Sequence, residues 1–322
     1  MGRKTANHQK IVIAIGGNSL IKDTKQATNF SAQLATVRET TTNITKIVRQ
    51  GYRVVITHGN GPQVGDILIR SYLTRLHLPD IPLDMANAIT QSEIGYMIQQ
   101  SLKNELLKCR YNVNVATVVT QVLVDKKDRA FTKYSKPVGP FYTKKEAFAL
   151  ESERKWVMRE DAGRGYRRLV SSPMPKEIIE IRVIRALIES GVIVIACGGG
   201  GIPVYFDRHH KFVPAAAVID KDLSSSLLAN LIDADILLIS TGINRVFLSF
   251  NKPNQQPLYQ ITLSQAKKYF SQGHFESGSM GPKIDASIKF LQTGHNRTVI
   301  ITNPSNIATA IIDKRIGTRI VQ

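Results

Sequence analysis

The sequence predicts an α/β fold with an open, mostly parallel sheet packed between helices. Short apolar runs alternate with segments in which apolar residues recur at helical spacing, and this alternation is typical of repeated βαβ units. Two of the runs, 11–15 and 54–57, lead directly into glycine-rich turns. A third run, 192–196, leads into four consecutive glycines at 198–201. Glycine lets the backbone approach an anion closely, so the pattern also indicates an enzyme that handles phosphate.

The first helix is predicted between the first two glycine turns. Its apolar residues recur at helical spacing, and they are Leu34, Val37, Ile44, Ile47 and Val48. Gly51 stands at the position of a helix C-cap. The strand at 54–57 carries the turn 59–61 at its carboxyl end, which is where open α/β sheets bind ligands. Pro62 suits the first turn of the next helix, because a missing N–H costs nothing there.

The middle of the chain has a different composition. Residues 125–168 are rich in Lys, Arg, Pro and Gly and carry weak strand and helix signals, so they predict an inserted flap or small subdomain. Regular alternation then returns, with Pro175 predicted to open a helix that Gly191 closes. The remaining predicted elements are a helix near 223–231, a strand at 236–240, a β-hairpin across 251–256, a helix from Pro282 and a strand at 299–302.

Length and composition predict a large globular protein of the cytoplasm. The chain has 322 residues, of which 43% are hydrophobic, so it can bury a core as one domain or as two lobes. It has only two cysteines, which makes a disulfide framework improbable and favours a reducing compartment. No apolar stretch reaches the length of a membrane span, and the first ten residues lack the apolar region of a signal peptide.

The charge is strongly positive. The formal net charge is +18, from 43 Lys and Arg against 25 Asp and Glu, and such an excess raises nucleic acid as a partner. The basic residues are nevertheless spread along the chain, and their clusters lack interleaved aromatic residues. A solvated face, or attraction for polyanionic metabolites such as nucleotides, explains the charge as well, so we expect no specific nucleic-acid binding.

The glycine turns fit neither common nucleotide-binding motif. The sequence contains no Walker A loop, and residues 59–65 have one residue too many for a G-x-G-x-x-G motif. Taken alone, Gly16-Gly17 is equally well explained as a tight strand-to-helix turn. Asn18 and Asn60 are either turn formers or amides that reach a bound oxyanion. Three such turns in one chain favour the anion site.

Two lysines stand out by their local sequence. Lys283 belongs to the first turn of the last helix, where a cation is unfavourable unless an anion binds at the same terminus. Lys221 lies between Asp220 and Asp222. A surface turn explains that triplet, and so does a catalytic lysine held by two carboxylates, one of which could bind Mg²⁺.

The other candidates are weaker. Lys136 would be an ordinary loop lysine if it stood alone, and Arg164 and Arg167 are predicted to brace the flap or to face solvent. The pair at 209–210 has no acidic or cysteine neighbour at ligand spacing, so a zinc site is improbable. Cys197 ends an apolar strand and is predicted to be a buried filler rather than a nucleophile.

In combination, these motifs resemble carbamate kinases, which have the amino-acid-kinase fold, over residues 11 to about 321. The strings that carry the resemblance are Ile15-Gly16-Gly17-Asn18, Ile56 through Gly65, Ile94-Gly95-Tyr96, Lys136 through Phe141, Glu160 through Gly165, Cys197 through Pro203, Val218 through Asp222, Gly273-His274-Phe275 and Gly278-Ser279-Met280. Acetylglutamate kinase and aspartokinase share the fold but usually carry a lysine just before the first glycine pair, where this chain has Ala14.

The resemblance implies one amino-acid-kinase domain with two lobes and a homodimeric assembly. The N-terminal lobe would span about 10–214 and hold the carbamate and phosphoryl site. A protruding subdomain would span about 125–168. The C-terminal lobe, about 215–322, would hold the nucleotide.

The resemblance also assigns roles to residues. The catalytic residues would be Lys136, Lys221, Lys283 and Asp220. The phosphate and carbamate site would be lined by Gly16, Gly17, Asn18, Gly59, Asn60, Gly61, Gly198, Gly199 and Gly200. Nucleotide contacts would come from Asp222, Thr241, Gly242, Met280 and Gly281. No metal ligand from the protein is expected, because Mg²⁺ would be bound mainly through the nucleotide phosphates.

The implied reaction is ATP plus carbamate to ADP plus carbamoyl phosphate, which the family commonly runs toward ATP during arginine catabolism. Phosphoryl transfer needs in-line positioning and cations around the transferring oxygens, which suits the three lysines. Two alternatives remain open at this stage. One is a related kinase with another small carboxylate acceptor, and the other is a non-catalytic regulator that binds nucleotide or nucleic acid.

Overall fold

Strands and helices alternate along most of the chain in the computed structural model, which describes residues 9–16, 20, 30–161, 163, 165–275 and 278–322. The strands are β1 (Lys10–Ile15), β2 (Arg53–His58), β3 (Val115–Thr117), β4 (Gln121–Val124), β5 (Lys136–Tyr142), β6 (Val157–Glu160), β7 (Tyr166–Val170), β8 (Pro175–Ile178), β9 (Ile193–Ile195), β10 (Ile202–Phe206), β11 (Phe212–Pro214), β12 (Ile236–Ser240), β13 (Phe247–Leu248), β14 (Gln256–Pro257), β15 (Gln260–Thr262), β16 (Thr298–Thr302) and β17 (Thr318–Val321). The helices are α1 (Phe30–Arg49), α2 (Gly61–Thr74), α3 (Leu83–Lys108), α4 (Lys144–Arg154), α5 (Ile181–Glu189), α6 (Lys221–Leu231), α7 (Leu263–Ser271), α8 (Met280–Gln292) and α9 (Thr309–Ile312).

The main sheet has eight strands within the described residues, in the order β15-β17-β16-β12-β1-β2-β9-β3. The pairs from β16 through β12, β1, β2 and β9 to β3 are all parallel, and β17 pairs antiparallel with β16. The predicted α/β fold with a mostly parallel sheet is therefore confirmed. Because the central strands are parallel, their carboxyl ends meet at one edge of the sheet, and Gly16 after β1 and the turn 59–61 after β2 lie there.

Both faces of the main sheet are buried. In β1, Ile11, Ile13 and Ile15 pack into a core with α1 and α3, whereas Val12 and Ala14 pack into a second core with α5, α6 and α8. This arrangement explains the nearly continuous apolar run of β1, since a strand covered by helices on both sides has no solvent face to make polar.

Three strands and one helix, called the subdomain below, lie largely within residues 125–168, and their status as a separate protruding unit stays a prediction. Strands β5, β7 and β6 make an antiparallel sheet, and α4 connects β5 to β6. The sheet contacts the body of the protein where β5 crosses α2, through an apolar cluster that contains Val64, Val138 and Val170. The division of the whole chain into two lobes at about residue 214 stays a prediction, because the main sheet includes strands from both sides of that boundary.

Two predicted helix boundaries differ from the structure. Residues 175–178 form strand β8 rather than the start of a helix, and α5 begins only at Ile181. Ile178 pairs with Val122 of β4 and is fully buried there, so its apolar side chain continued the helical spacing by coincidence. The last long helix, α8, begins at Met280, two residues before Pro282, which lies in the first turn as a proline can.

Gly65 is required by the contact between α2 and β5. A Cβ on Gly65 would lie 2.2 Å from the Cα of Gly139, so the two backbones touch with no room for a side chain. Gly65→Ala is expected to lower the free energy of unfolding by about 1–3 kcal/mol, because β5 must shift to admit the methyl group. Chemical denaturation measures the change.

Gly61→Ala in the same helix is the matched control. An added Cβ at Gly61 meets no atom within 4 Å among the described residues, and alanine favours helix, so stability should stay equal or rise slightly. Equal denaturation midpoints for the two variants would contradict the proposed contact.

Candidate active site

A cavity of about 320 Å³ lies at the carboxyl edge of the main sheet, between the starts of α2, α6 and α8 and strand β5 of the subdomain. The lining residues are Gly16, Gly59, Asn60, Gly61, Pro62, Gln63, Lys136, Pro137, Val138, Arg167, Gly199, Val218, Ile219, Asp220, Lys221, Asp222, Gly278, Ser279, Pro282 and Lys283. The three predicted lysines therefore border one cavity together with the glycine turns.

Asp222 joins two of the lysines. Its carboxylate accepts hydrogen bonds from Nζ of Lys221 at 2.5 Å and from Nζ of Lys283 at 3.1 Å, and its side chain is only 5% exposed. Lys221 and Asp222 lie in the first turn of α6, and Lys283 lies in the first turn of α8. The carboxylate thus holds two ammonium groups side by side at the cavity wall.

The charges in this group shift one another's pKa values. Burial raises the pKa of the Asp222 carboxyl, but the charges and hydrogen bonds of Lys221 and Lys283 outweigh burial and bring the pKa well below its ordinary value. Burial lowers the pKa of Lys283, yet the neighbouring carboxylates raise it above the ordinary lysine value. The pKa of Lys221 is instead lowered. Burial is the main cause and the nearby ammonium of Lys283 adds to it, whereas the carboxylate of Asp222 raises the pKa and only partly offsets them.

Asp220 anchors the third lysine. One oxygen of its carboxylate caps α6 by accepting from the backbone N–H groups of Asp222 at 2.9 Å and Leu223 at 3.4 Å. Its other oxygen accepts from Nζ of Lys136 at 2.5 Å. Lys136 belongs to β5, so this ion pair connects the subdomain to the start of α6.

The helix starts around the cavity differ in their capping. Asp220 satisfies the first turn of α6, whereas within the described part of the chain no side chain caps α2 or α8. The first N–H groups of a helix have no intrahelical partner, and together with the helix dipole they favour an anion. The starts of α2 and α8 therefore present backbone donors to the cavity, beside Lys221 and Lys283.

The side chain of Asn60 is hydrogen-bonded to α3 in the structure. Its amide nitrogen donates to Oδ1 of Asn87 at 3.1 Å and to Oγ1 of Thr90 at 2.9 Å, both on α3. These two bonds engage both amide hydrogens, and a contact of Asn60 with a bound oxyanion stays a prediction. Gly199 packs against this amide so closely that a Cβ there would lie 2.1 Å from the nitrogen.

His58 directly precedes the turn 59–61, and the sequence predicted no role for it. It ends β2, is buried, and shares a 3.1 Å hydrogen bond between its Nδ1 and the carbonyl oxygen of Gly59. Burial is the main cause that lowers the pKa of His58 to about 4, and the charge of Lys221 adds to the effect. The imidazole is therefore neutral near pH 7. Its position directly before a glycine turn is the only signal that could have indicated it.

A second cavity, of about 310 Å³, adjoins the first. It is lined by Gly16, Ser240, Thr241, Gly242, Ile243, Phe247, Phe250, His274, Phe275, Ser279, Met280 and Lys283. Gly16, Ser279 and Lys283 border both cavities. The second cavity contains the predicted nucleotide residues Thr241, Gly242 and Met280, together with three phenylalanines for which the sequence predicted no role.

Other predicted residues lie around these cavities or outside the described chain. Gly281 lines a third, adjoining cavity that also contains Lys136 and Asp220. Gly198 and Gly200 are buried and line neither of the first two cavities. Gly17, Asn18 and Arg164 lie outside the residues that the structure describes.

Arg167 and Cys197 can be placed against their predictions. Arg167 braces the subdomain, because its Nε donates to the carbonyl oxygen of Gly139 at 3.1 Å and its guanidinium lies over the ring of Phe141. It also lines the first cavity. Cys197 is fully buried, and burial raises the pKa of its thiol, as expected for a filler. Among the described residues, no group of three or more His, Cys, Asp or Glu side chains could hold a metal ion.

Comparison with known proteins identifies the class. The model of the amino acid kinase family matches residues 9–303. The carbamate kinase of Pyrococcus horikoshii is 47% identical over 294 residues, which cover 91% of this chain and 93% of that protein. The carbamate kinase of Clostridium perfringens is 45% identical over 316 residues, which cover 97% and 100%.

A solved structure agrees with these relatives. The carbamate kinase from Giardia lamblia bound to AMP-PNP superposes with a TM-score of 0.90 at 40% identity, covering 99% of this chain and all of the other. The chain therefore belongs to the amino acid kinase family, and the expected resemblance to carbamate kinases is confirmed, as is the expectation of an enzyme. None of the helices in the described residues has the length and apolar character of a membrane span.

The buried His58 predicts a pH dependence of stability. Between pH 6.5 and 4 the unfolded chain binds a proton at His58 that the folded chain does not, so the free energy of unfolding falls as the pH is lowered through this range. The loss attributable to His58 should reach about 3 kcal/mol by pH 4. His58→Gln, compared with wild type by denaturation at several pH values, should lack this part of the slope.

His77→Gln is the control, because His77 is an exposed histidine on the surface. It should unfold with the wild-type pH profile. A His58→Gln variant whose stability falls with pH as steeply as wild type would show that His58 is not kept neutral by the fold.

Proposed function

We propose that the protein is a carbamate kinase, which catalyses the reversible transfer of a phosphoryl group between ATP and carbamate. The observation that carries the proposal is the convergence of Lys136, Lys221 and Lys283 on one cavity at the sheet edge. The uncapped starts of α2 and α8 border the same cavity, and an apolar cavity adjoins it. The names of the relatives at 45–47% identity support the same activity.

The nucleotide would occupy both cavities. Its base would lie in the second cavity, among aromatic side chains such as Phe247 and Phe275, and its phosphates would pass Gly16 and Ser279 into the first. Lys283 borders both cavities, so its ammonium would contact the phosphates where they enter. The AMP-PNP bound to the relative from Giardia lamblia supports ATP or ADP as the nucleotide.

The lysines would supply the charge that phosphoryl transfer requires. A loose transition state spreads negative charge over the transferring oxygens, and cations fixed in advance stabilise it without reorganising. Lys221 and Lys283 are fixed by Asp222, and Lys136 is fixed by Asp220. The acceptor oxygen of carbamate is already anionic, so no general base is required, and both carboxylates that line the cavity are engaged by lysines.

Mg²⁺ is proposed as the accompanying metal. When bound, it would neutralise charge on the nucleotide phosphates. Asp220 and Asp222 are the carboxylates next to the phosphate path, but both already accept from lysines. The residues therefore suit a metal that arrives with the nucleotide and is held mainly by its phosphates.

The assembly, location and direction are also proposals. The resemblance to carbamate kinases supports a homodimer, and an exposed apolar stripe on α3, formed by Met85, Ile89 and Tyr96, offers a surface for it. Two free cysteines support a reducing, cytoplasmic location. Synthesis of ATP during arginine catabolism is proposed from the resemblance alone.

The assay is ATP formation by the purified protein from ADP, Mg²⁺ and carbamoyl phosphate. Lys283→Ala is expected to lower kcat on the order of 100-fold or more, because it removes one fixed cation from the transition state. Lys289→Ala is the matched control, since Lys289 lies on the same helix and pairs with Asp285 at the surface. It should keep nearly wild-type turnover.

Equal turnover by wild type and Lys283→Ala would contradict the role of that lysine. Folded, ADP-binding protein that makes no ATP would contradict the proposed reaction. In that case ADP formation from ATP with other small carboxylates would identify another acceptor, and binding to nucleic acid that persists at physiological salt would identify a regulator.

A further inference from the structure

Helix α3 buries a row of polar side chains that do not line the cavity. Asn87, Thr90 and Gln91 are at most 1% exposed and lie on one face of the helix. Buried polar groups are costly unless they are hydrogen-bonded. Every one of these side chains is bonded to a loop that borders the site, so the row connects the body of the helix to the cavity wall.

The first connection runs from Thr90 and Asn87 to the turn after β2. The hydroxyl of Thr90 donates to the helix backbone, to the carbonyl oxygen of Ala86 or of Asn87 at 2.9–3.0 Å. Its lone pairs are thereby left to accept from the amide of Asn60. The side-chain N–H of Asn87 donates to the carbonyl oxygen of Ala217 at 3.2 Å. The side-chain oxygen of Asn87 therefore faces Asn60. The orientation of the Asn60 amide is thus fully determined.

The second connection runs from Gln91 to the glycines after β9. Its nitrogen donates to the carbonyl oxygens of Gly198 at 2.9 Å and Thr120 at 3.1 Å, and its oxygen accepts from the N–H of Thr120 at 2.9 Å. The hydroxyl of Thr120 accepts in turn from the N–H of Cys197 at 3.0 Å. These bonds fix the backbone of Cys197 and Gly198, directly before Gly199.

The two glycine turns need such support because glycine has a large conformational freedom. Gly199 adopts a φ of 65°, a region that disfavours other residues, and packs on the Asn60 amide. Gly59 lies against the stem of Lys221, with 3.8 Å from its virtual Cβ to Cδ of the lysine. A displacement of the 59–61 turn would therefore move both the backbone donors at the start of α2 and the contact with Lys221.

We propose that Asn87, Thr90 and Gln91 are positioning residues that hold the two glycine turns in the geometry required for phosphoryl transfer. This inference rests on the proposed function. None of the described hydrogen bonds of these three side chains reaches a residue that lines the second cavity, where the base would bind. We therefore expect substitutions in them to affect phosphoryl transfer and carbamate binding rather than nucleotide binding. Small misplacements of reacting groups lower rates strongly, which makes kinetics a sensitive measure of this role.

Thr90→Val tests the proposal, because it replaces the hydroxyl by a methyl group of similar size. The expected result is a fall in kcat of about tenfold or more and a rise in KM for carbamoyl phosphate. KM for ADP should stay within about twofold of wild type, since the nucleotide cavity is not touched. Thr90→Ser keeps the hydroxyl and should restore most of the activity.

Ser101→Ala is the control on the same helix. Ser101 is buried, and its hydroxyl has no hydrogen-bond partner among the described residues, so its loss should leave kcat and both KM values unchanged. Folded Thr90→Val with wild-type kcat and KM would overturn the proposal. So would a Thr90→Ser variant as impaired as Thr90→Val, because the methyl packing rather than the hydrogen bond would then matter.

Hydrogen exchange provides a readout that does not depend on the reaction. Thr90→Val should speed exchange in a peptide that covers residues 58–62 and leave a peptide that covers 236–243 unchanged. If wild type makes no ATP, the proposed function fails, and the exchange result still decides whether Thr90 holds the turn. Unchanged exchange at 58–62 would overturn the inference by itself.

Discussion

The site depends on one carboxylate that keeps two buried ammonium groups together. Two like charges in a desolvated wall repel each other, and each has lost its hydration. Asp222 compensates both through hydrogen bonds to Lys221 and Lys283. It can do so because α6 begins at this point, where Asp220 caps the helix and fixes the backbone of its first turn. Without that carboxylate the repulsion between the two ammonium groups would be uncompensated, and the hydrogen bond that joins Lys283 of α8 to the first turn of α6 would be lost.

The same helix start also orders the subdomain. The second oxygen of Asp220 accepts from Lys136, so one short segment, 220–222, joins cations from β5, α6 and α8. Three cations against two anions leave the group net positive, which suits an anionic ligand. The helices around the cavity also differ in how their first turns are capped. Asp220 accepts from backbone N–H groups in the first turn of α6. The described starts of α2 and α8 have no side-chain cap, so their backbone N–H groups are left for a ligand. Electrostatic catalysis requires charged groups that are held in place in advance and hydrogen-bond donors that are left for the reacting group.

Much of this arrangement could be predicted from the sequence, because the strands, the glycine turns and the helix start that holds Lys283 are local signals. The convergence of Lys136, Lys221 and Lys283 was expected only through the resemblance to a known family, since the lysines are far apart in the chain. The role of Asn60 could not be predicted, because its partners are 27 and 30 residues away on α3. Polar residues such as Thr90 within a long helix look the same in sequence whether they face solvent or a buried loop. The predicted helix start at Pro175 was wrong for a related reason, since an isolated apolar residue such as Ile178 fits both a helix and a strand until its partner is known.

In the proposed reaction, the ammonium groups held by Asp220 and Asp222 surround the transferring phosphoryl group. The most direct measurement is a crystal structure with ADP, Mg²⁺ and aluminium fluoride, a flat anionic mimic of that group. The fluoride ligands are expected to contact Nζ of Lys221 and Lys283 and the backbone donors of the turn 59–61, with the two carboxylates still bonded to their lysines. Fluoride ligands bound beyond reach of both ammonium groups would contradict this role of the lysines.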